Sequence, residues 1–574
     1  MRRPGPGWAG AGIGALLGAV VCAPLFLGRG FVLSYDMVFV PRLAFTPAVW
    51  GTDAAVPRAV PSDFVVAVLS TVLPGELVQR LLLVVVFPLA GAGLGLLLRR
   101  WGPLPVAVAV VTYLWNPWVY ERLVLGHWPF LLGHAVLPWV VVAADRVRQG
   151  SRGGLAGLAC WLVAGALPGA TTAVLTGGLA AALVGWPGGA HRRRRALPAL
   201  ALVWAAVGAA WWLPTLTRAG GVPADSAGVD AFAARGETAA GAVPSLLSGA
   251  GGWNLATVPP GRTAFAVGLT AVLALGVVLA VAVPWWRAGE RRALVVAGVA
   301  SLVLSAAGAL PVLHDVLTAV VLGVPGGGLL RDGQKLLGPW LVLVALCAGE
   351  AAARLAGWRA GPGWRPGAAP AVAAVLLVVP VALLPALAWG ALGRLAPVPY
   401  PAEWAAARAV VADGTAAVLP WRQYRRFAWN GDRVVLDPMP RYLAGPALTA
   451  DDLPLSSGVV VRGEDPRSAR VGAALAGGKP VLPVLADLGV RWVVVHRDQP
   501  GSAQAEAAVA GATVRFRGPE LVVAEVPGAV APRPRGRFPW GMAVTLASAI
   551  GVIIWRFSSR PRRPLLRSAP PEQW

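Results

Sequence analysis

Asp36 is the residue whose surroundings first suggest chemistry, because it is the single acid in the apolar stretch FVLSYDMVF, residues 31–39. A carboxylate that is partly removed from water can accept a proton from an attacking hydroxyl group. Ionisable residues that face a cavity near a membrane tend to be functional. A helix N-cap or an ordinary loop charge is the alternative, and the apolar neighbours of Asp36 favour a functional role.

The sequence lacks the short motifs of the common nucleotide- and zinc-dependent enzymes. It contains no Walker loop, no CxxC pair and no HExxH, and no GxGxxG or GxSxG stands in a strand–turn–helix context. ATP hydrolysis and zinc-dependent hydrolysis therefore have no support from motifs. Cys22, Cys160 and Cys347 all lie in apolar segments, which is typical of small packing residues rather than of disulfides or metal ligands.

Composition indicates a membrane protein. Hydrophobic residues make up 56% and charged residues 13% of the 574 residues, and the mean hydropathy is +0.64. An average soluble domain carries about 25% charged residues. Many apolar stretches of this chain are long enough to cross about 30 Å of hydrocarbon. The sequence therefore predicts a polytopic α-helical protein of the plasma membrane.

The basic residues indicate which side of the membrane each loop occupies. The net charge is +23, and of the 50 basic residues only Lys335 and Lys479 are lysines. The arginine clusters adjoin apolar segments, as those of cytoplasmic loops do under the positive-inside rule. Nucleic-acid binding is therefore a weak explanation of the charge, and no nucleic-acid partner is predicted. The clusters stand at positions 2–3, 99–100, 146–152, 192–195, 287–292, 354–365 and 556–567.

These clusters and the apolar runs predict about twelve spans with both termini in the cytoplasm. The first run is longer than a signal h-region and no convincing cleavage site follows it, so it is taken as an uncleaved span. The predicted domains are a multi-span domain over 1–396, an extracytoplasmic α/β domain over 397–530, and a final span with a basic cytoplasmic tail over 531–574. The twelve segments are 8–28, 80–98, 104–117, 128–144, 154–168, 171–186, 196–214, 263–286, 292–311, 336–353, 368–391 and 538–556.

Three outer stretches stand out under this topology, at residues 29–79, 114–134 and 313–340. In the first stretch, Phe64, Val68, Leu69 and Val72 recur at the spacing of an amphipathic helix at the membrane interface. Within 397–530, WAAARAVV predicts a helix, and AAVLPW, DRVVLDP, PVLPVLADLGVRWVVVHR, ATVRFRG and LVVAEVPG predict strands or strand–turn units. Residues 397–530 are therefore expected to form a small α/β domain.

Taken together, these features resemble a GT-C fold glycosyltransferase, the multi-pass class that uses polyprenyl-phosphate-linked sugars. The resemblance is carried by a first span, an outer loop with the acidic SYD at Asp36, an amphipathic outer helix, many further spans and an outer C-terminal domain. GGLLRDGQK, and YPAEW followed by VLPWRQYRRFAWNGDRVVLDPMPRY, resemble the arabinofuranosyl- and mannosyltransferases of the actinobacterial envelope. That class often pairs two acids in the first loop, whereas Met37 follows Asp36 here.

The resemblance implies transfer of a sugar from a polyprenyl-phosphate donor to an envelope glycan, glycolipid or protein acceptor at the outer membrane face. Asp36 would be the general base, and Asp63 in PSDF would be its rival, with an N-cap as the alternative role of Asp63. No cofactor is assigned, and a divalent metal is left open because the usual second acid is missing. Membrane lipids are the expected surroundings.

A leaving polyprenyl phosphate gains negative charge, and cations stabilise that charge. Arg331 and Lys335 are the first candidates, since residues four apart lie on one side of a helix; anchoring of the next span is the alternative. Arg122 and His127 are the second pair, provided that a loop brings them together. For His127 the alternative is interfacial packing beside an aromatic ring.

Two other classes of function remain open at this point. A transporter or flippase of a lipid-linked envelope precursor would favour acids and broken helices in mid-span, whereas the predicted spans are almost free of charge. A non-catalytic envelope-assembly protein with a GT-C-like fold would retain the architecture without the chemistry. An assay of sugar transfer from the lipid-linked donor separates the three.

Overall fold

Apolar runs of the sequence form helices, since a chain in hydrocarbon can satisfy its backbone N–H and C=O groups within a helix. The structure is a computed structural model that describes residues 6–187, 192–217, 224–289, 291–357, 368–529 and 538–559. The apolar helices at the predicted segments are Pro6–Cys22, Gly75–Leu97, Pro103–Leu114, Trp128–Arg148, Gly154–Ala166, Ala170–Gly185, Arg192–Val207, Ala209–Thr217, Ala264–Arg287, Arg292–Ala306, Gly338–Gly357, Ala368–Leu383 and Trp540–Ser558. Between them lie the helices Pro24–Leu27, Pro47–Trp50, Ser62–Val72, Pro117–Val124, Ala227–Ala231, Ala242–Leu247, Pro311–Gly323 and Ala388–Leu392.

The number of helices that could cross a membrane is smaller than predicted. Over the described residues, six helices are long and apolar enough, and the number rises to eight if each of two bent pairs is one span. Each of the twelve predicted segments contains a helix, but Pro103–Leu114 has only 12 residues and Gly154–Ala166 only 13. Helices of this length extend for about 18–20 Å. The count of twelve is therefore not confirmed, whereas the multi-helix architecture is.

A sheet region, residues 397–529, follows most of the apolar helices. Its strands are β1 (Thr415–Leu419), β2 (Tyr424–Arg426), β3 (Val434–Leu436), β4 (Ala447–Leu448), β5 (Leu453–Pro454), β6 (Val460–Val461), β7 (Val490–His496), β8 (Thr513–Arg517) and β9 (Leu521–Glu525). The main sheet has the order β4-β1-β7-β9-β8, in which β1 is parallel to both neighbours and β9 is antiparallel to both. The helices of this region are Ala402–Val410, Met439–Tyr442, Pro466–Ala476, Val481–Asp487 and Ser502–Ala508. The predicted mixture of helix and strand is present, but the first half of PVLPVLADLGVRWVVVHR forms the helix Val481–Asp487, and only Val490–His496 is a strand. The position of this region outside the membrane and the domain boundaries stay predictions.

The first loop, residues 28–61, is joined to the sheet region by backbone hydrogen bonds. β2 and β3 form an antiparallel hairpin apart from the main sheet. The Tyr35 N–H donates to the Val434 carbonyl over 2.7 Å, and the Leu436 N–H donates to the Tyr35 carbonyl over 2.8 Å. The first loop thus extends the edge of this hairpin. This pairing places the residue after Tyr35 against the side chains of the hairpin.

Candidate functional site

A cavity of about 610 Å³ lies between the first loop, the turn before the helix Trp128–Arg148, the segment 321–335 and the sheet region. Charged or polar side chains from all four parts meet in it. Five of the six predicted site residues line the cavity: Asp36, Asp63, His127, Arg331 and Lys335. Four charged residues that the sequence analysis did not single out also line it, together with Tyr424: Arg58, Asp332, Arg441 and Glu464.

Asp36 receives one hydrogen-bond donor on each carboxylate oxygen. The Tyr424 hydroxyl donates to Oδ1 over 2.6 Å, and His127 Nε2 lies 3.1 Å from Oδ2. Burial would raise the pKa of Asp36, but the bonds to His127 and Tyr424 outweigh it and hold that pKa below its usual value. The side chain is 41% exposed, so an ionised carboxylate faces the cavity at neutral pH.

His127 is held in one tautomer by Arg122. Arg122 Nη1 lies 2.7 Å from His127 Nδ1, and a guanidinium can only donate. Nδ1 is therefore the acceptor, and Nε2 carries the hydrogen that His127 gives to Asp36. Burial lowers the pKa of His127 to about 4, so the imidazole is neutral at neutral pH. The spacing of five residues is bridged by a turn, because the helix Pro117–Val124 ends between the two residues.

Arg122 has a different place from the one predicted. Its side chain is fully buried behind His127, with its guanidinium 5.6 Å from the centre of the Trp118 ring and 3.5 Å from Asp332. It is not among the residues that line the cavity. In this arrangement Arg122 orients His127, and its role in binding a donor phosphate stays a prediction.

The backbone around Asp36 leaves little freedom. The Asp36 N–H donates to the Leu125 carbonyl over 3.0 Å. Gly126 has a φ of +76°, and a Cβ at this position would stand 2.0 Å from the Met37 nitrogen. Tyr35 itself has a φ of +45°, a conformation that costs a non-glycine residue energy and often occurs at functional sites. The loop and the turn at Gly126 therefore fix each other.

Arg331 and Lys335 both reach the cavity, but not from one helix face. Arg331 directly follows the short 3-10 turn Gly327–Leu330, and Lys335 lies within a second one, Gly333–Leu337. A 3-10 turn has three residues per turn, so residues four apart point in different directions. Lys335 Nζ lies 3.1 Å from Asp332 Oδ2, whereas Arg331 Nη1 lies 3.5 Å from Glu464. The expectation of a single cationic helix face is thus wrong.

Asp332 is the acid that balances the cations of this segment. Burial would raise its pKa, but Lys335 and Arg122 outweigh the burial and bring the pKa of Asp332 to about 2. Asp332 is therefore ionised, and it holds Lys335 at the edge of the cavity. Its position between Arg331 and Lys335 in RDGQK was the one signal in the sequence that could have identified it.

Asp63 is paired with an arginine and is not a helix cap. The helix Ser62–Val72 has Pro61 at its N-cap position, which places Asp63 inside the first turn. Its Oδ2 accepts from Arg441 Nη2 over 2.9 Å. Tyr424 and Arg441 both fall within the long motif that carried the resemblance, and that motif was the signal by which they could have been found.

The residues around Asp36 do not form an evident metal site. Both Asp36 oxygens already accept hydrogen bonds from protein groups, and Met37 occupies the place of a second acid. Within the part of the chain that the structure describes, no three His, Cys, Asp or Glu side chains are grouped so as to hold a metal ion. The donor set here suits proton transfer and anion binding better than metal coordination.

Comparison with known proteins finds a likeness in solved structures alone. No family model matches the sequence, and no curated protein matches it. The structure of the arabinofuranosyltransferase AftD from Mycobacteria matches with a TM-score of 0.59 and 17% identity, over 90% of this chain and 40% of that one. A mutant form of the same enzyme matches with a TM-score of 0.55 and 17% identity, over 91% of this chain and 42% of that one.

The chain thus spans about 40% of the length of the solved enzyme that it matches. At 17% identity the likeness concerns the fold. The apolar helices and the sheet region, which the sequence predicted separately, are both included in a match that covers 90% of this chain. The GT-C prediction is therefore confirmed at the level of the fold, which this chain shares with the mycobacterial arabinofuranosyltransferase. The twelve spans and the outer position of the sheet region stay predictions.

Proposed function

We propose that this chain is a membrane glycosyltransferase that moves a sugar from a polyprenyl-phosphate donor to an envelope glycan, glycolipid or protein acceptor at the outer membrane face. One observation carries the proposal: the Asp36 carboxylate, oriented by Tyr424 and His127, faces a cavity that also contains Lys335 and Arg331. A proton acceptor opposite cations is what transfer from a phosphate-linked sugar needs. The GT-C fold supports the same class.

In the proposed reaction, the acceptor hydroxyl loses its proton to Asp36 while its oxygen forms a bond to the anomeric carbon. The bond between that carbon and the phosphate oxygen breaks, and its electron pair stays on the phosphate. The hydrogen bonds from Tyr424 and His127 keep the carboxylate in one orientation, so little reorganisation is needed when the proton moves. The lowered pKa of Asp36 keeps this carboxylate ionised before the proton arrives.

Cations take up the charge that develops on the leaving phosphate. Lys335 is close enough for its charge to help lower the pKa of Asp36, and it rests on the Phe130 ring, 4.8 Å from the ring centre. Arg331 lies over the Phe232 ring at 4.8 Å. Contacts that strengthen as charge grows favour the transition state over the bound substrate. Lys335 and Arg331 are therefore assigned to the donor phosphate.

Apolar surface beside the cavity fits a donor with a lipid tail. The helix Pro311–Gly323 exposes Val312 and Val316, and the residues at its end, from Val321 onward, line the cavity. The helix Ser62–Val72 likewise exposes Val72 at its C-terminal end. Exposed apolar faces on such helices suit the membrane interface. A lipid-linked sugar could lie along them with its phosphate at the cavity.

The test is transfer by the full chain in lipid nanodiscs, supplied with a panel of labelled polyprenyl-phosphate sugars and with envelope glycan or glycolipid acceptors. Asp36→Asn should lower the rate by about a hundredfold to ten-thousandfold. Asp53→Asn is the matched control, since Asp53 pairs with Arg467 over 2.8 Å and is not among the residues that line the cavity. Equal rates in wild type and Asp36→Asn would refute this role of Asp36. Movement of the donor across the bilayer without transfer would favour a flippase.

A further inference from the structure

We propose that Arg58 and Arg331 form a phosphate-binding subsite of the cavity, and that the carboxylate of Glu464 fills this subsite while no ligand is bound. The subsite takes the phosphate group of a lipid-linked substrate. This inference rests on the proposed function for the identity of that lipid. The contacts among Arg58, Arg331 and Glu464 are observed in the structure and do not depend on the proposed function.

Glu464 connects two arginines that come from distant parts of the chain. Its Oε1 lies 2.9 Å from Arg58 Nη2 and 3.5 Å from Arg331 Nη1. The Glu464 side chain is 13% exposed, and all three residues line the cavity. A single carboxylate oxygen therefore lies between two guanidinium groups, where a phosphate oxygen would form the same charge-assisted hydrogen bonds.

The two arginines lie closer together than their charges favour. Burial and the charge of Arg58 lower the pKa of Arg331. Glu464 forms an ion pair with both arginines, whereas the charges of Asp332 and Asp225 act on Arg331 from farther away. The two oxygens of Glu464 offer fewer acceptor positions than a phosphate group does. Arginine is suited to phosphate because its planar fork can bind two oxygens at once. A phosphate could therefore replace Glu464 and satisfy both arginines more fully.

The turn that carries Glu464 is fixed by other acids. The N–H groups of Glu464 and Asp465 both donate to Asp451 Oδ2, over 2.7 and 2.8 Å, and the Gly463 N–H donates to Asp452 Oδ1 over 2.7 Å. A Cβ on Gly463 would stand 2.0 Å from Asp451 Oδ1, so a side chain there would displace the carboxylate that accepts from Glu464 and Asp465. The backbone of Glu464 is therefore held in place, and only its side chain has to rotate when a ligand arrives.

A built-in competitor lowers the apparent affinity for the ligand. Affinity falls in proportion to the fraction of protein whose site is free. If Glu464 fills the subsite in about nine molecules of ten, its removal should tighten binding by about tenfold. This competition would also help a product phosphate to dissociate, because Glu464 binds the arginines again as the phosphate leaves.

The experiment measures binding, not transfer. The full chain in nanodiscs of neutral phosphatidylcholine is titrated with polyprenyl phosphate, and with unphosphorylated polyprenol as the ligand control. Glu464→Gln should lower the Kd for polyprenyl phosphate by about tenfold and leave the Kd for polyprenol unchanged. Glu506→Gln is the matched control, because Glu506 also joins two arginines, Arg497 and Arg517, but is not among the residues that line the cavity.

A second pair of variants keeps the inference testable if Glu464→Gln does not fold. Arg58→Gln should weaken binding of polyprenyl phosphate, and Arg58 is 47% exposed, so this change disturbs packing little. In the double variant Arg58→Gln/Glu464→Gln, most of the increase in affinity for polyprenyl phosphate that Glu464→Gln causes should be lost. Equal affinity in wild type, Glu464→Gln and Arg58→Gln would overturn the subsite.

Inorganic phosphate separates the phosphate group from its lipid. Competition by inorganic phosphate against polyprenyl phosphate, stronger in Glu464→Gln than in wild type, would support a site that recognises the phosphate itself. If Glu464→Gln increases the affinity for polyprenyl phosphate but not for inorganic phosphate, the site also needs the polyprenyl tail. Tighter binding in Glu464→Gln with no transfer of any sugar would refute the proposed function and leave the subsite standing. Transfer without any change in affinity would refute the subsite alone.

Discussion

The Tyr424 hydroxyl donates a hydrogen bond of 2.6 Å to Asp36 Oδ1, although the two residues are 388 positions apart in the sequence. Tyr424 lies at the start of β2, and the first loop pairs with the neighbouring strand β3. The sheet region therefore completes the surroundings of the acid that the sequence identifies first. It is part of the site and not an appended domain.

Tyr424→Phe should lower kcat by about tenfold, because it removes one of the two donors that hold the Asp36 carboxylate. The sign of the pH effect follows from the same bond. Burial raises the pKa of Asp36, and the hydrogen bond from Tyr424 counteracts that effect. Loss of this donor should therefore raise the pKa of Asp36 and move the acid limb of the pH–rate profile to higher pH. Initial rates from pH 4 to 8 measure both effects.

Tyr400→Phe is the control for this change. The Tyr400 hydroxyl donates to the Phe39 carbonyl over 2.8 Å and does not contact Asp36, so its loss should leave the pH–rate profile in place. A wild-type profile in Tyr424→Phe would show that this hydroxyl does not act on the base.

Gly126→Ala should disable the site through the backbone. Alanine at a φ of +76° is strained, and its Cβ would stand 2.0 Å from the Met37 nitrogen, so the first loop has to move away. We expect a fall in thermal stability and a large loss of transfer. Gly261→Ala is the matched control, because Gly261 has a φ of +81° with no atom within 4 Å of the added Cβ. It should show only the backbone strain, about 1–2 kcal/mol. Equal effects of the two changes would mean that the contact with Met37 is not limiting.

The buried imidazole of His127 predicts a loss of stability in acid. Its pKa is about 4 in the folded protein against 6.5 for a free histidine, so the unfolded chain binds a proton first as the pH falls. Stability should therefore decrease as the pH falls from about 6.5 to 4, and this contribution should be constant above that window. Melting temperatures in nanodiscs at several pH values measure it.

His127→Gln should remove this part of the pH dependence, because glutamine can still accept from Arg122 and donate to Asp36 without titrating. His314→Gln provides the control for the loss of a histidine nearer the surface, where the ring is 28% exposed and contacts Asp230. If His127→Gln melts with the same pH dependence as wild type, His127 is not the group that responds.

The predicted topology gives a separate test. With both termini in the cytoplasm and residues 397–530 outside, a reporter fused after residue 150 should report the cytoplasm, and one fused after residue 450 should report the outer side. The arginine clusters beside apolar segments are the reason for this expectation. Cytoplasmic labelling of a cysteine introduced at position 450 would contradict the model of the membrane orientation.

Features that depend on local sequence were predicted well. Each apolar run became a helix because a helix satisfies its backbone hydrogen bonds within the segment itself. DRVVLDP and LVVAEVPG contain the strands β3 and β9. The count of twelve spans is not confirmed, because hydropathy finds apolar runs without measuring whether a helix such as Pro103–Leu114 is long enough to cross a membrane.

The composition of the site could be predicted only in part. Asp36 was recognisable because it is the single acid in an apolar stretch, and Arg331 and Lys335 because they lie four residues apart just before an apolar segment. Tyr424 stands in the motif that carried the resemblance, but its contact with Asp36 could not be predicted, and neither could that of Glu464 with Arg58. Both contacts join residues several hundred positions apart and leave no periodicity. The buried place of Arg122 also depends on packing, which spacing alone does not show.

The strand pairing between Tyr35 and the β2–β3 hairpin also has a consequence for biosynthesis. Tyr35 and Val434 are about 400 residues apart, which a ribosome at roughly 5–20 residues per second covers in roughly 20–80 s. During that time the first loop has been made but its strand partner has not. The nascent chain therefore carries the acid without its hydroxyl partner, and the site can be assembled only after the β2–β3 hairpin has been synthesised.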